Sequence, residues 1–271
     1  MAIKIAIVSQ KGGVGKTTVA LNLAVALAES QRRTLLVDLD PQGAIGLSLA
    51  RQNSEWVGLA ELLMGQTSPE AAVIPTKLPA LSILARGRLD PADVSEFEKV
   101  VHVPGTLERT LEPVATGFQF VLIDAPSGLG MVPRAALSFA DFALVPFQAE
   151  TLALRSVTQL LQVLEHVRAN ENPRLRLLGI LPTMVRLGKE ASMEVMSQVW
   201  NNIAGVLETV VPWSETYAKA SRAGLPVAFL GGVVTPEARR FEMLVGELES
   251  RIASLTGLTG EGYERPQRNL L

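Results

Sequence analysis

The chain has 271 residues, of which 48% are hydrophobic and 19% are charged, and its formal net charge of −2 excludes a broadly basic surface. It has no cysteine, which excludes disulfides, thiolate nucleophiles and cysteine-ligated clusters, and its two histidines share no cluster with other metal-ligand types. No apolar stretch is long enough to span a membrane, so we expect a cytoplasmic protein without stable membrane insertion.

Short apolar runs alternate with longer segments of helical period along the chain. The predicted strands are Lys4–Ser9, Thr34–Asp38, Leu81–Ala85, Phe118–Asp124, Phe142–Pro146, Leu177–Leu181 and Leu207–Val211. The predicted helices are Lys16–Ser30, Thr106–Ala115, Thr151–Ala169, Lys189–Ala204 and Pro236–Leu255. Strands that are apolar throughout are typical of parallel sheets buried on both faces. The pattern predicts a single-domain α/β fold, with a mostly parallel sheet flanked by helices on both faces.

The remaining segments are less regular. Residues 51–80 and 86–105 show no clear period, and we expect lid-like or peripheral elements there. The last predicted helix has an apolar stripe and an opposite face of mixed charge, which favours core packing over binding to an anionic membrane. We assign residues 1–258 to one domain and residues 259–271 to a flexible C-terminal tail.

A glycine-rich segment follows the first predicted strand and opens the first predicted helix. Its glycines allow successive backbone N–H groups to point at an oxyanion, and the helix N-terminus adds the positive end of its dipole. Lys16 is placed to reach the β- and γ-phosphates of a nucleotide, and the Thr17 hydroxyl to ligate Mg²⁺. An ordinary glycine-rich turn is the alternative, but the strand, the spacing and the helix all favour phosphate binding. The predicted phosphate-binding loop consists of Lys11, Gly12, Gly13, Val14, Gly15, Lys16, Thr17 and Thr18.

The loop departs from the common P-loop pattern in two places. Gln10 stands where the first glycine is expected, and a second lysine, Lys11, lies inside the loop. In this form the loop resembles the deviant Walker A loop of the ParA/MinD family of dimerising ATPases. Three further segments resemble motifs of that family, the first of them closest to ParA: Leu36–Gly43, Phe120–Ser127, and Val211–Pro212 together with Gly224–Val227.

The resemblance implies roles for four charged side chains. Asp124 would hold Mg²⁺ through a water beside the phosphates, and Asp38 would act on the Mg²⁺ side. Asp40 would orient the water that attacks the γ-phosphate; from the residues alone, all three aspartates also fit turn or helix caps. Lys11 would reach the phosphates of a facing protomer, although a solvated loop lysine is the alternative. The predicted catalytic residues are Lys11, Lys16 and Asp40, and the predicted metal ligands are Thr17, Asp38 and Asp124.

Two further sets of contacts follow from the resemblance. Residues after two core strands would contact the adenine base, although simple strand-end turns fit equally well: Pro182, Thr183, Met184 and Pro212. ParA-like proteins bind DNA nonspecifically through basic residues of the C-terminal half, and each candidate here also fits a plain surface charge: Arg174, Arg176, Arg186, Lys189, Lys219 and Arg222.

We therefore expect a ParA-type ATPase that uses ATP and Mg²⁺ and forms a homodimer when ATP is bound. The dimer would bind DNA nonspecifically, associate with the nucleoid, and segregate DNA or position a cellular cargo. Its slow hydrolysis would be stimulated by a ParB-like or cargo-adaptor protein. Two alternatives remain: a MinD-like positioning ATPase, and a metabolic P-loop ligase of the dethiobiotin-synthetase kind, whose substrate pocket residues 51–105 would have to supply.

Overall fold

The structure, a computed structural model, describes residues 2–49, 56–150, 153–231 and 234–257. The predicted tail, residues 259–271, lies outside these ranges. Within them the strands are β1 (Ile3–Ile7), β2 (Thr34–Asp38), β3 (Ile74–Pro75), β4 (Leu81–Leu84), β5 (Phe120–Asp124), β6 (Phe142–Gln148), β7 (Arg176–Val185) and β8 (Val211–Pro212). They form one sheet in the order β3-β4-β2-β5-β1-β6-β7-β8, in which only the β3–β4 pair is antiparallel.

Helices cover both faces of the sheet, as predicted. Within the described residues they are α1 (Lys16–Glu29), α2 (Ala44–Leu49), α3 (Leu59–Leu63), α4 (Pro69–Ala72), α5 (Val94–His102), α6 (Thr106–Ala115), α7 (Met131–Phe139), α8 (Ala153–Asn170), α9 (Glu190–Asn202), α10 (Glu215–Ala223) and α11 (Pro236–Thr256). A short 3₁₀ turn, Val227–Phe229, precedes the last helix.

Alternation along the central strands builds two hydrophobic layers. In β1, Ile5 and Ile7 belong to the layer under α1 and α11, whereas Ala6 belongs to the opposite layer with α5, α6 and α7. Successive side chains of a strand point to opposite faces, so a strand covered on both sides must be apolar throughout. The apolar stripe of α11 is buried in the first of these layers, which confirms its predicted core packing.

Two expectations about the fold were wrong. The strand predicted at Leu207–Val211 is observed only as β8, which shares Val211 with it. The backbone N–H groups of Glu208 and Thr209 donate to the Glu247 carboxylate of α11 rather than to a strand. The described residues between 56 and 105 are not merely peripheral. They include α3, α4 and α5, and their apolar side chains, such as that of Phe97, are buried in the core.

The parallel order brings the C-terminal ends of β1, β2 and β5 together at one edge. Ile7 lies beside Asp124 in the register, and Asp124 lies beside Asp38. The loop after β1 therefore opens over two acidic strand ends. Ligands of open parallel sheets bind at this edge.

Candidate functional site

The phosphate-binding loop predicted from the sequence connects β1 to α1. Gly13 and Gly15 have φ angles of +77° and +87°, in the left-handed region that favours glycine. The helix begins at Lys16, directly after Gly15, and neither a side-chain cap nor an acidic residue occupies its first turn. Among the described residues, no side chain caps the first N–H groups of α1, the arrangement that suits a bound anion.

Lys16 is buried, with 7% of its surface exposed, and its Nζ donates a hydrogen bond to Ser127 Oγ at 2.5 Å. Burial lowers the pKa of Lys16, while the nearby carboxylates of Asp124 and Asp40 act to raise it. An ammonium group has three donors, so two remain for other acceptors such as phosphate oxygens. Ser127 was not among the predicted site residues; its position just after Asp124-Ala125-Pro126 is the signal that could have identified it.

Asp124 is fully buried at the end of β5, and neither carboxylate oxygen has a hydrogen-bond partner within the described residues. Burial raises the pKa of Asp124 to about 7, although the neighbouring Thr17 hydroxyl and Lys16 ammonium act to lower it. A buried carboxylate whose oxygens accept no hydrogen bond is unfavourable, and a bound cation or a proton would compensate it.

The donor set around Asp124 fits a magnesium ion that is bound together with phosphates. Across the described parts of the chain, no group of three or more His, Asp or Glu side chains could hold a metal ion by itself. Mg²⁺ commonly takes one or two carboxylates and fills its remaining positions with phosphate oxygens and waters. The Asp124 oxygens and the Thr17 hydroxyl therefore fit such an ion.

Asp38 and Asp40 lie at the end of β2 but have different surroundings. Asp38 is fully buried, and its oxygens accept hydrogen bonds from the Asp40 N–H at 3.3 Å and the Ile45 N–H at 3.0 Å. Burial, and then the charge of Asp124, raises the pKa of Asp38 to about 8. Asp40 is half-buried, and its Oδ1 accepts from the Gln42 N–H at 2.9 Å. Asp38 thus holds the turn after β2, and its role on the Mg²⁺ side stays a prediction.

Lys11 has an exposed side chain, while its carbonyl accepts a hydrogen bond from the Ser9 hydroxyl at 2.8 Å. Its exposure fits both a contact to another molecule and a solvated loop lysine. The trans role of Lys11 stays a prediction.

Two of the predicted adenine contacts support the phosphate-binding loop. The Thr183 hydroxyl lies 2.9 Å from the Val14 carbonyl and 3.0 Å from that of Phe147, which ties the loop to β6 and β7. Met184 has a φ of +53°, and its methyl group lies 3.9 Å from the position of a Cβ on Gly15. Pro182 is buried in β7, and Pro212 of β8 is half-buried.

The structure divides the predicted DNA-binding residues among separate regions. Arg174 precedes β7 and Arg176 begins it, whereas Arg186 and Lys189 follow its end. Ten residues of extended strand separate these two pairs by roughly 30 Å. The other two residues, Lys219 and Arg222, lie on α10. All six side chains are exposed, but they do not form one patch.

Comparisons with known proteins agree with this geometry. The family model described as an AAA domain matches residues 2–177. The Thermus thermophilus chromosome-partitioning ATPase Soj is 38% identical over 256 residues, which cover 92% of this chain and 96% of that protein. The chain belongs to the ParA/MinD family of P-loop ATPases.

Solved structures of the ParA/MinD fold extend the match. A Mycobacterium smegmatis protein named cobyrinic acid a,c-diamide synthase, with bound ADP and magnesium, is 35% identical, with a TM-score of 0.71 over 82% of this chain and 92% of that chain. The Pyrococcus horikoshii septum site-determining protein MinD, complexed with Mg-ADP, is 26% identical, with a TM-score of 0.73 over 97% and 100% of the two chains. The predicted ParA/MinD resemblance, α/β fold and ATPase class are confirmed. In the described part of the chain, no helix is long and apolar enough to cross a membrane.

Proposed function

We propose that this chain is an ATP-driven switch of ParA type, which hydrolyses ATP slowly with Mg²⁺ and closes as a dimer when ATP is bound. One observation carries the proposal. At the uncapped N-terminus of α1, a buried lysine stands beside a buried carboxylate whose oxygens accept no hydrogen bond from the described part of the chain. The two charges lie where the phosphates and the cation of Mg·ATP would complete them.

Each side chain then has a task. The Lys16 ammonium binds the β- and γ-phosphates and is aimed by Ser127. Thr17 and Asp124 hold Mg²⁺, and Asp38 fixes the turn behind them. Held there, the ion would supply positive charge to the phosphates during hydrolysis. The half-buried Asp40 orients the attacking water.

The proposed dimer depends on a contact from Lys11 to the facing protomer. The inner side of the loop is already taken by Lys16 and the backbone N–H groups, so an exposed second lysine has its useful phosphate on a facing protomer. Two such contacts would couple closure of the dimer to two bound nucleotides. The family resemblance supports the same arrangement.

The cellular role we propose is segregation of DNA or positioning of a cargo, in the cytoplasm and close to the nucleoid. The name of the Thermus relative, a chromosome-partitioning ATPase, supports this role. A ParB-like or cargo-adaptor protein would stimulate hydrolysis. Because the basic candidates are dispersed, we expect weak, nonspecific and salt-sensitive DNA binding, contributed by those exposed on one side of the ATP-bound dimer.

A second candidate, a metabolic ligase, is favoured by one observation. The Mycobacterium smegmatis neighbour carries the name of a metabolic enzyme, cobyrinic acid a,c-diamide synthase. Such an enzyme would need a substrate pocket beside the phosphates, whereas the described part of residues 51–105 contributes core helices. A MinD-like positioning role is the remaining alternative and shares the nucleotide chemistry.

Sedimentation velocity with a nonhydrolysable ATP analogue, together with ATP turnover, tests the proposal. We expect Mg²⁺-dependent turnover that EDTA abolishes, and a dimer only with analogue and Mg²⁺. Lys11→Ala should bind the analogue but stay monomeric, since loss of a charged contact typically removes about 1.5–3 kcal/mol and a two-fold interface loses it twice. The exposed Lys77→Ala is the matched control and should dimerise normally.

Three results would contradict parts of the proposal. Absence of Mg²⁺-dependent turnover would contradict the ATPase itself. A Lys11→Ala dimer as stable as wild type would contradict the trans contact. Turnover that requires a small carboxylic acid, with no response to duplex DNA in a mobility shift at low salt, would favour the metabolic ligase.

A further inference from the structure

Arg86 connects the segment after β4 to the turn that carries Asp40. Its side chain is half-buried, and Nη1 donates a hydrogen bond to the Pro41 carbonyl at 2.8 Å. Its Nε donates to the carbonyl of Gly87 at 3.0 Å, which fixes the orientation of the guanidinium plane. A guanidinium held at two of its nitrogens is a rigid support.

The turn that receives Arg86 is compact and leaves space for it. The Asp40 carbonyl accepts from the Gly43 N–H at 2.8 Å, and its Oδ1 accepts from the Gln42 N–H. Gly43 has a φ of +66°, and a Cβ there would lie 3.2 Å from Arg86 Nε. Glycine at this position therefore meets both the backbone conformation and the close approach of Arg86.

The backbone segment that carries Arg86 is itself held by hydrogen bonds from the start of α3. The N-terminus of α3 docks on it through hydrogen bonds from Leu59 N–H to the Ala85 carbonyl and from Ala60 N–H to the Arg86 carbonyl, both 2.8 Å. The buried Glu61 carboxylate accepts from the N–H groups of Gly58 and Arg88 at 2.9 and 3.0 Å. A Cβ on Gly58 would lie 2.2 Å from the Ala85 carbonyl oxygen, so the docking requires glycine.

We propose that Arg86 is a positioning residue for ATP hydrolysis, because it fixes the turn at residues 40–43 and with it the Asp40 carboxylate. The inference rests on the role of Asp40 in the proposed function. On the sheet side, the Asp38 carboxylate accepts hydrogen bonds from the N–H groups of Asp40 and Ile45 and so stabilises the turn. Arg86 holds the Pro41 carbonyl, which lies between them in the chain. With both supports, Asp40 is preorganised before nucleotide binds.

The test compares Arg86→Gln and Arg86→Lys with Arg33→Gln, an exposed arginine just before β2, the strand that ends at Asp38. We expect Arg86→Gln to lower kcat about ten- to a hundredfold, the usual effect of losing a charged hydrogen bond. Affinity for a nonhydrolysable ATP analogue should stay within about twofold, since Arg86 does not touch the phosphates in this proposal. Arg86→Lys should recover part of the turnover, and Arg33→Gln should match wild type.

Two readouts separate positioning from general stability. In an Asp40→Ala background, Arg86→Gln should change the residual turnover by less than about twofold, because both act on one step. Hydrogen exchange in nucleotide-free protein should show faster exchange of the Gln42 and Gly43 amides in Arg86→Gln, with unchanged exchange in β5.

The outcomes distinguish this inference from the proposed function. An equal loss of turnover in both backgrounds, or wild-type kcat in Arg86→Gln, would overturn the role of Arg86 while leaving the ATPase intact. Wild-type turnover in Asp40→Ala alone would contradict the proposed role of Asp40, and the inference would fall with it. Absence of turnover in wild type would contradict the proposed function before Arg86 is considered.

Discussion

The two ends of the central sheet differ in how the buried charges of Asp124 and Lys16, on one side, and of Lys4, on the other, are compensated. At the C-terminal end, Asp124 has no hydrogen-bond partner within the described residues, and the Lys16 ammonium donates to the Ser127 hydroxyl. At the N-terminal end, Lys4 of β1 pairs with Glu112 and lies 4.7 Å from the ring centre of Phe139. Completed pairs hold a fold together, whereas buried charges without partners mark a place where a ligand completes them.

Cavity volume alone would suggest a binding site at the opposite end of the sheet. A cavity of about 580 Å³ lies at the N-terminal end, lined in part by Lys4 with Glu112 and by Arg134 with Glu171. Both ion pairs are already made there. Unsatisfied charge is therefore a better guide to this site than open volume.

The largest expected effect compares the two buried lysines. Lys16→Ala should weaken ATP binding about a hundredfold or more, because it removes the ammonium group that faces the phosphates. Lys4→Met, at the opposite end of β1, should bind ATP as wild type does, even where it lowers thermal stability. Isothermal titration calorimetry measures both affinities. Near-wild-type affinity in Lys16→Ala, or equal losses in the two variants, would contradict the contrast between the two ends.

Features set by neighbouring residues could be predicted from the sequence, whereas contacts between residues far apart in the chain could not. The unbroken apolar runs of β5 and β6 located those strands, because burial on both faces demands them. Helix α7 was not predicted: it has nine residues and contains Pro133, which interrupts the helical pattern. Local spacing also predicted Lys16 and Thr17 as site residues and the position of Asp124 at the end of a strand.

The partners of these residues could not be read in the same way. Ser127 is 111 residues from Lys16, and they meet only because β5 lies beside β1 in the sheet. Arg86 reaches Pro41 because β4 lies beside β2. Strand order is set by the packing of whole layers, which no short motif records. For the same reason, the sequence did not predict that four of the basic candidate residues lie at opposite ends of β7.

The second prediction concerns pH and Asp124 in protein free of metal and nucleotide. Burial raises its folded pKa to about 7 from the ordinary value of 3.8, so the folded state keeps a proton that the unfolded state has lost. The free energy of unfolding should therefore fall as pH rises from about 4 to about 7. Asp124→Asn carries no titrating group and should reduce this fall, while Asp38, whose pKa is raised to about 8, leaves part of it. Urea unfolding at each pH in the presence of EDTA measures the free energy of unfolding. If this free energy falls with pH as steeply in Asp124→Asn as in wild type, the prediction is contradicted.

The smallest expected effect has the opposite sign and lies at the other end of the sheet. Burial alone would raise the pKa of Glu171, but hydrogen bonds from Arg134 and Ser138, and the charge of Arg134, hold it below its ordinary value of 4.5. The stability that Glu171 contributes is therefore present above that pH and is lost as pH falls below it. Glu171→Gln should be less stable than wild type at pH 6, by about 0.2–1 kcal/mol for a partly exposed ion pair, and the difference should vanish near pH 3. The same urea series decides it: a difference that grows toward acid, or one that follows the Asp124 slope, would show that the two ends do not hold their carboxylates in opposite ways.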